Sequence, residues 1–383
     1  MEIRGISLLS MKAVVVESDI VTPYGLGIDP CWNGLLANRS SISLLSRFNT
    51  KAFFSDYGAT VSGLTYHGEV SLVMQMLAML FDKTGTQIPK DAKLLLATTK
   101  GEIDFLEKCI ITGTGDAAES VLNNLLGKVV NLTGTEGGAM VVSAACTSSS
   151  AAAARAAAMI RSGHADCVVV AACDSVTEFV FSGFSSLMAL DKVPARPFDK
   201  NRAGLSVGEA AAYMLVMSEE RAVRENRLVI GEIAGWGMSD DANHMTGPSR
   251  ESEGLVRAIT AALHTAGISA DQVGFISAHG TGTAYNDAME MHAFRSVFKE
   301  RNVPVYSIKG GLGHTMGAAG LVEMAVAQKA QRENLVPPTV NLQQPDDSAL
   351  GWVSDRSRAI GTHSICLMTN AGFSGVNTAL VLV

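Results

Sequence analysis

Three side chains capable of chemistry stand where apolar runs give way to turns rich in serine or glycine. They are Cys146 in "SAACTSSSAAAARAAAMIRSG", His279 in "ISAHGTGTA" and His314 in "GGLGHTMGAAG". Cys146 precedes three serines and a nearly pure alanine stretch. Serine and threonine hydroxyls take up the orphan N–H groups of a helix N-terminus. The run from Ala151 to Arg161 is strong helix former and Gly163 is a natural stop. The flanking runs "MVVSAA" and "DCVVVAACDS" read as buried strands. Cys146 is therefore predicted on a strand-to-helix turn at the positive end of a helix dipole, which lowers a thiol pKa and makes a nucleophile. A free cysteine is also commonly a small buried hydrophobe. The turn alone leaves both readings open.

The histidines supply the missing context. Glycines beside them (Gly280 and Gly282; Gly310, Gly311, Gly313 and Gly317) let backbone approach a ligand closely, and open α/β sheets form their binding crevices at strand ends. Taken singly, each histidine reads as structural. Both at strand ends, with a candidate thiol, make the pattern of a cysteine nucleophile with two imidazoles. A rival reading takes "GGLGHTMG" as a dinucleotide phosphate loop. Too little chain follows it to complete that fold, and it leaves Lys309 and His314 unexplained. The serine-rich run lacks a GxxxxGK pattern, and His279 and His292 are too far apart for an HExxH metal site.

These residues need a large scaffold, and the chain can supply one. Its 383 residues are 47% hydrophobic with 37 glycines, enough for one large domain or two of ordinary size. Strand-like and helical runs alternate, which argues for an α/β fold. A net charge of −7 gives no support to nucleic-acid binding. The six cysteines form no CxxC pair and no zinc spacing, which suggests a reducing compartment. The N-terminus "MEIRGISLLSMK" is too short in its apolar part for a signal peptide, and no apolar run is long enough to span a membrane. A soluble, cytoplasmic protein is expected, with the residues before Met11 a loosely held extension.

Strands are predicted at "AVVVES" (13–18) and "AKLLLATTKG" (92–101), with a helix from Glu102 to Cys109 and a pair of strands in "LSVGEAAAYMLVMS" (205–218). The charged stretch "EERAVRENR" (219–227) marks the boundary between residues 1–226 and 227–383. The second half opens with the strand "LVIGEIAGWGMS" and a helix from Glu253 to Ala266. Two strand–turn–helix units carrying His279 and His314 follow, and two strands close the chain around "NAGFSGVN". The ordering of elements hints at two similar halves.

From Met11 to Val383 the chain resembles the β-ketoacyl-acyl-carrier-protein synthases, of the elongating type found in fatty-acid and type II polyketide assembly. The resemblance is carried, in the family's order, by "VTPYGLG", "SAACTSSSAAA", "RPFDKNRAGLSVGEAAA", "HGTGTAYNDAMEMHAF", "SIKGGLGHTMGAAG" and "AGFSGVN". It implies a thiolase-like fold of two βαβ-rich halves forming layered α/β sheets, usually paired as a dimer. It implies Cys146 as the acyl-accepting nucleophile and His279 and His314 as the histidine pair. That Cys-His-His set separates elongating synthases from initiating ones (Cys-His-Asn) and from thiolases (Cys-His-Cys). Lys309 and Glu290 match the family's lysine and glutamate beside the histidines, and they are expected to pair with each other. Thr281 and Thr283 match threonines that contact the phosphopantetheine arm. Phe373 matches the gating phenylalanine, whose N–H joins that of Cys146 in an oxyanion hole.

The implied reaction is decarboxylative condensation of a Cys146-bound acyl group with malonyl carrier, without a metal or redox cofactor. Phosphopantetheine arrives on the acyl carrier protein. The partner subunit is an identical chain or a chain-length partner. An alternative is that this chain is itself such a non-elongating partner, but those lack the cysteine; a plain acyl-binding scaffold fits a complete site less well still. Acyl carriers are acidic and so is this chain, so docking calls for a local basic patch, with candidates Arg47, Lys51, Lys192, Lys200 and Arg202. The chain departs from the family with "AGFSG" for "FGFGG" and "RAGL" for "RDGF", changes at Ala371, Ser374, Ala203 and Leu205 that bear on chain length. "ATTKGEID" and "TEFVFSGFSSLMALD" look closer to synthases of aryl-polyene pathways.

Overall fold

The computed structural model describes residues 11–84 and 88–383; the expected extension before Met11 lies outside the described residues. The first half supplies strands β1 (Ala13–Thr22), β2 (Lys93–Ala97), β3 (Ala139–Val142), β4 (Cys167–Asp174) and β5 (Ala210–Ser218). The second supplies β6 (Gly231–Asp240), β7 (Val273–Ser277), β8 (Val305–Tyr306), β9 (Ile365–Ala371) and β10 (Val376–Leu382). They pair in the order β8-β7-β9-β10-β6-β1-β5-β4-β2-β3. Antiparallel pairing of β1 with β6, Val14 opposite Glu232, makes the seam. Outward from the seam each half repeats one arrangement: two antiparallel pairings, then two parallel ones.

The strands are apolar on both faces because both faces are covered. All of β4 is buried. Its alternate residues separate: Val168, Val170 and Ala172 enter one core, Val169, Ala171 and Cys173 another. The first of these cores also takes Phe275, Met368 and Leu380 from the second half. Between the two halves lie helix α1 (Ser148–Arg161) and, beyond α2 (Ala284–Phe298), helix α3 (Ala319–Glu333). Helices 72–84 and 122–133 cover the outer face of the first half; helix 253–266 and α2 cover that of the second. The molecule is thus layered helix, sheet, helix, sheet, helix. A central helix faces packing on every side, which explains the alanines: α1 and α3 approach so closely that a methyl on Gly320 would stand 2.6 Å from the Ser150 nitrogen.

Element ends differ from expectation for local reasons. Helix α1 starts at Ser148 rather than Ala151, and the serine hydroxyls bond back to the turn that precedes it: Ser148 Oγ donates to the Ala145 carbonyl and Ser150 Oγ to that of Thr147. Strand β2 stops at Ala97, because Thr98 and Thr99 turn to bind the Asp174 carboxylate. The charged stretch at 219–227 is not an open linker. Arg221, buried, bonds to Asp91, Asp166 and Glu225 and fastens the segment to the first half. Among the described residues no helix is long and apolar enough to cross a membrane.

Candidate active site

The turn after β3 is tight. Ala145 adopts φ +47°, and Thr147 Oγ1 and Ser148 Oγ each donate at 2.6 Å to the carbonyls of Ala144 and Ala145. This fixes Cys146, 7% exposed, in the wall of a cavity of about 370 Å³. The ends of β7 and of the turn after β8 bring His279 and His314 to the same cavity, with Thr281, Thr283 and Phe373 also in its wall. The imidazoles meet edge to face with centroids 5.1 Å apart. The structure therefore assembles residues separated by more than half of the sequence.

The hydrogen bonds settle which ring nitrogen carries the proton. The Met316 N–H donates to His314 Nδ1 at 3.3 Å. His279 Nδ1 faces Lys309 Nζ at 3.2 Å and Asn370 Nδ2 at 3.4 Å, both of which are donors. Each Nδ1 must therefore accept, which leaves each proton on Nε2. Burial and then the positive charge of Lys309 hold both histidines well below their ordinary pKa. Two neutral N–H donors face the cavity.

The lysine's partner differs from the expected one. Lys309, 1% exposed, hydrogen-bonds to the His279 carbonyl and forms its ion pair with Glu323, not with Glu290. Asn370 Nδ2 donates to the other Glu323 oxygen at 2.5 Å. Glu290 is captured instead by the histidine turn itself: the N–H groups of His279 and Gly280 donate to it at 2.7 and 2.6 Å. Asn286 and Thr369 complete its shell. The turn exposes unpaired N–H groups and so attracts the nearest carboxylate. Burial, then the nearby Asp287, pushes Glu290 up to about 7 against those donors. Asp287 holds the next turn of chain through the N–H groups of Thr281 and Gly282. The Thr281 and Thr283 hydroxyls lie 2.9 Å apart.

The thiol also corrects an expectation. Burial pushes Cys146 above its ordinary pKa; Lys100, then Lys309, and the Phe373 N–H pull it back without reversing the shift. Desolvation of the sulfur outweighs the positive influences around it. Phe373 brings its N–H to the sulfur because Gly372 passes so close that a methyl there would touch the Cys146 nitrogen at 3.3 Å. The Phe373 ring lies 5.9 Å from that of Phe184, and Ala371 opens the wall beside it. Ser374, where the family has glycine, holds φ +72°.

Two of the five basic-patch candidates are not surface charges. Arg47 clasps Glu209 with two bonds of 2.5 and 2.7 Å and is 9% exposed. Arg202, 8% exposed, bonds to Asp346 at 3.0 Å. Lys51, Lys192 and Lys200 are exposed. Glu323, Asn370, Asp174 and Lys100 escaped the sequence reading; the only signal was an acid inside the apolar run "GLVEMAVAQ".

Comparison with known proteins supports the same reading. A family model described as the beta-ketoacyl synthase N-terminal domain matches residues 84–222, and its C-terminal-domain counterpart matches 230–343. The 3-oxoacyl-[acyl-carrier-protein] synthase 2 of Coxiella burnetii is 28% identical over 97% of this chain and 98% of its own. The ketoacyl synthase alpha subunit of the tetracenomycin polyketide synthase of Streptomyces glaucescens is 36% identical over 65% of this chain and 61% of its own. Among solved structures, the ishigamide ketosynthase/chain length factor superposes with a TM-score of 0.87 at 27% identity, covering 97% of this chain and 99% of that one.

Proposed function

The chain belongs to the β-ketoacyl synthase family, and we propose that it extends an acyl group held on Cys146 by decarboxylative condensation with malonyl-acyl-carrier protein. The Cys146 thiolate attacks the acyl-carrier thioester. The N–H groups of Cys146 and Phe373 stabilise the oxyanion, and the carrier thiolate leaves with a proton. Malonyl carrier then enters. Its C–CO₂ bond breaks and the electron pair moves into the thioester carbonyl. His279 and His314 donate their Nε2 protons as hydrogen bonds to the enolate oxygen so formed. The enolate carbon attacks the acyl-cysteine carbonyl, the Cys146 thiolate is expelled, and 3-ketoacyl carrier leaves with CO₂ as co-product. The phosphopantetheine arm belongs to the substrate, and we assign it to the wall formed by Thr281 and Thr283. The proposal gives the chain no metal or redox cofactor of its own.

One observation carries this reading: both Nδ1 atoms are occupied by donors, so both imidazoles present N–H and neither can serve as a base through that nitrogen. Neutral donors suit an enolate, whereas a Ser- or Cys-hydrolase needs a histidine free to accept. Cys146 beside both histidines argues against a non-elongating partner. The working unit is proposed as a dimer, with an identical or chain-length subunit covering β3. That strand ends the sheet with Ala139 and Met140 exposed. We place the pair in the cytoplasm beside its carrier. Incubation with malonyl carrier and a panel of acyl or polyenoyl carriers, read by intact mass, tests the function. Carrier-bound 3-ketoacyl products two carbons longer than the starter are expected; no extension with any starter overturns it.

A further inference from the structure

The cavity that holds Cys146 adjoins a second hollow of about 530 Å³, and His244, Gly247, Pro248 and Tyr285 stand in the walls of both. Thr281, Thr283 and Tyr285 follow one another from the histidine turn into the first turn of α2. Thr281 is buried, Thr283 half-buried and Tyr285 65% exposed, so the row runs from the interior toward solvent.

Arg250 meets this row from the loop that follows β6. Its guanidinium carbon lies 5.8 Å from the centre of the Tyr285 ring, a cation–π contact. The loop is fastened on two sides. The Ser374 N–H donates to the Met245 carbonyl at 2.7 Å, and the Ser249 N–H donates to Asp241 at 2.9 Å. Within it, His244 Nδ1 accepts the N–H groups of Thr246 and Gly247, each at 3.1 Å, which leaves a proton on Nε2. Among the described residues Arg250 forms no ion pair. Glu251 is the carboxylate in the same wall, and it accepts the Ser249 hydroxyl at 3.2 Å.

The planar fork of a guanidinium matches two oxygens of a phosphate, and stacking on a ring fixes its plane. We infer that Arg250, steadied by Tyr285 and beside the His244 N–H, binds the phosphodiester that joins the phosphopantetheine arm to its carrier. The inference rests on the proposed function, which brings that arm past Thr281 and Thr283. A charge held at the far end of the arm sets how deep its thioester reaches. Glu251 opposes an anion in the same hollow, and the site is open to water, so the gain in affinity is modest.

The test compares phosphopantetheine with pantetheine, the same arm with and without its phosphate. Dissociation constants would be measured by ligand-observed NMR for the whole chain, Arg250→Met and Arg250→Lys. The unmodified chain should bind phosphopantetheine about fivefold more tightly, the scale of an exposed charge pair, and added salt should shrink that preference. Arg250→Met should remove most of the preference and leave pantetheine binding unchanged, which also shows the pocket intact. Arg250→Lys should retain part of it. Equal binding of the two compounds to the unmodified chain overturns the inference, as does a preference that survives Arg250→Met or a loss of pantetheine binding in that variant. So does a weakening by Arg250→Met seen only with the intact carrier, which would place the guanidinium on the carrier's surface. Failure of the functional reading looks different: no starter would be extended, while the phosphate preference persisted.

Discussion

Replacing Lys309 by methionine separates what this lysine does for the fold from what it does for the reaction. Its ammonium is 1% exposed and bonds to His279 Nδ1, the His279 carbonyl and Glu323. Methionine fills similar space but leaves Glu323, also 1% exposed, with Asn370 as its remaining partner. Breaking a buried pair in this way costs about 3–5 kcal/mol of stability. Burial already raises the Glu323 carboxyl, and loss of the lysine raises it further. A carboxyl whose folded-state pKa lies above its unfolded one loses stability as pH rises through the folded value. The deficit of Lys309→Met should therefore be largest at alkaline pH and shrink on acidification toward the unfolded value of about 4.3. The catalytic loss has another origin: His279 Nδ1 keeps only the long 3.4 Å contact with the Asn370 donor, so the tautomer that points N–H at the enolate is held by one weak bond in place of two. Losing one such donor costs about 3 kcal/mol, or roughly 10²-fold in decarboxylation. Urea unfolding from pH 5 to 9 and ¹⁴CO₂ release from malonyl carrier measure the two effects. Lys309→Met/Glu323→Gln should regain most of the stability and none of the rate. A Lys309→Met enzyme that decarboxylates near the unmodified rate, or whose deficit is the same at every pH, refutes the reasoning.

Other expectations follow from the same contacts. Because both histidines are held well below their ordinary pKa while Glu290 is pushed up to about 7, CO₂ release by Glu290→Gln should show no inflection between about pH 6 and 7.5, and a rise through that window in this variant would mean a charged imidazole. Glu290→Gln sets an amide N–H against backbone donors at the His279 turn, so it should lower stability by about 1–3 kcal/mol and slow CO₂ release, measured by unfolding and by turnover. Ser374→Gly relieves a left-handed serine and should add of the order of 1 kcal/mol to stability, read from the unfolding midpoint. Lys51→Glu and Lys200→Glu should weaken carrier binding in a salt-dependent way; Arg47→Glu should instead unfold the segment by breaking its buried pair with Glu209.

The parts legible in the sequence were those with a local signature. Alternating apolar runs marked the strands, and serine or glycine turns at their ends marked Cys146, His279 and His314. Contacts made across the fold left no such trace. Glu323 sits in the middle of an apolar helix and meets Lys309 only because α3 packs beneath the histidine loops. Glu290 lies near Lys309 in the family pattern, yet backbone N–H groups at the adjacent turn claim it first. Arg47 and Arg202 read as surface charge because side-chain burial depends on packing between distant segments. The thiol's pKa direction was missed for the same reason: a dipole can be placed from sequence, whereas desolvation depends on what closes over the sulfur.

The central claim is a division of labour between sulfur and imidazole, and one pair of readings on three variants tests it. Acyl transfer from acyl carrier, by mass of the protein, and ¹⁴CO₂ release from malonyl carrier would be measured for Cys146→Ala, His279→Ala and His314→Ala. The account predicts that Cys146→Ala takes up no acyl group yet still releases CO₂. Each histidine variant should form the acyl-enzyme while losing roughly 10²-fold or more in decarboxylation. An acyl adduct on Cys146→Ala, or histidine variants that decarboxylate normally while Cys146→Ala does not, would contradict it.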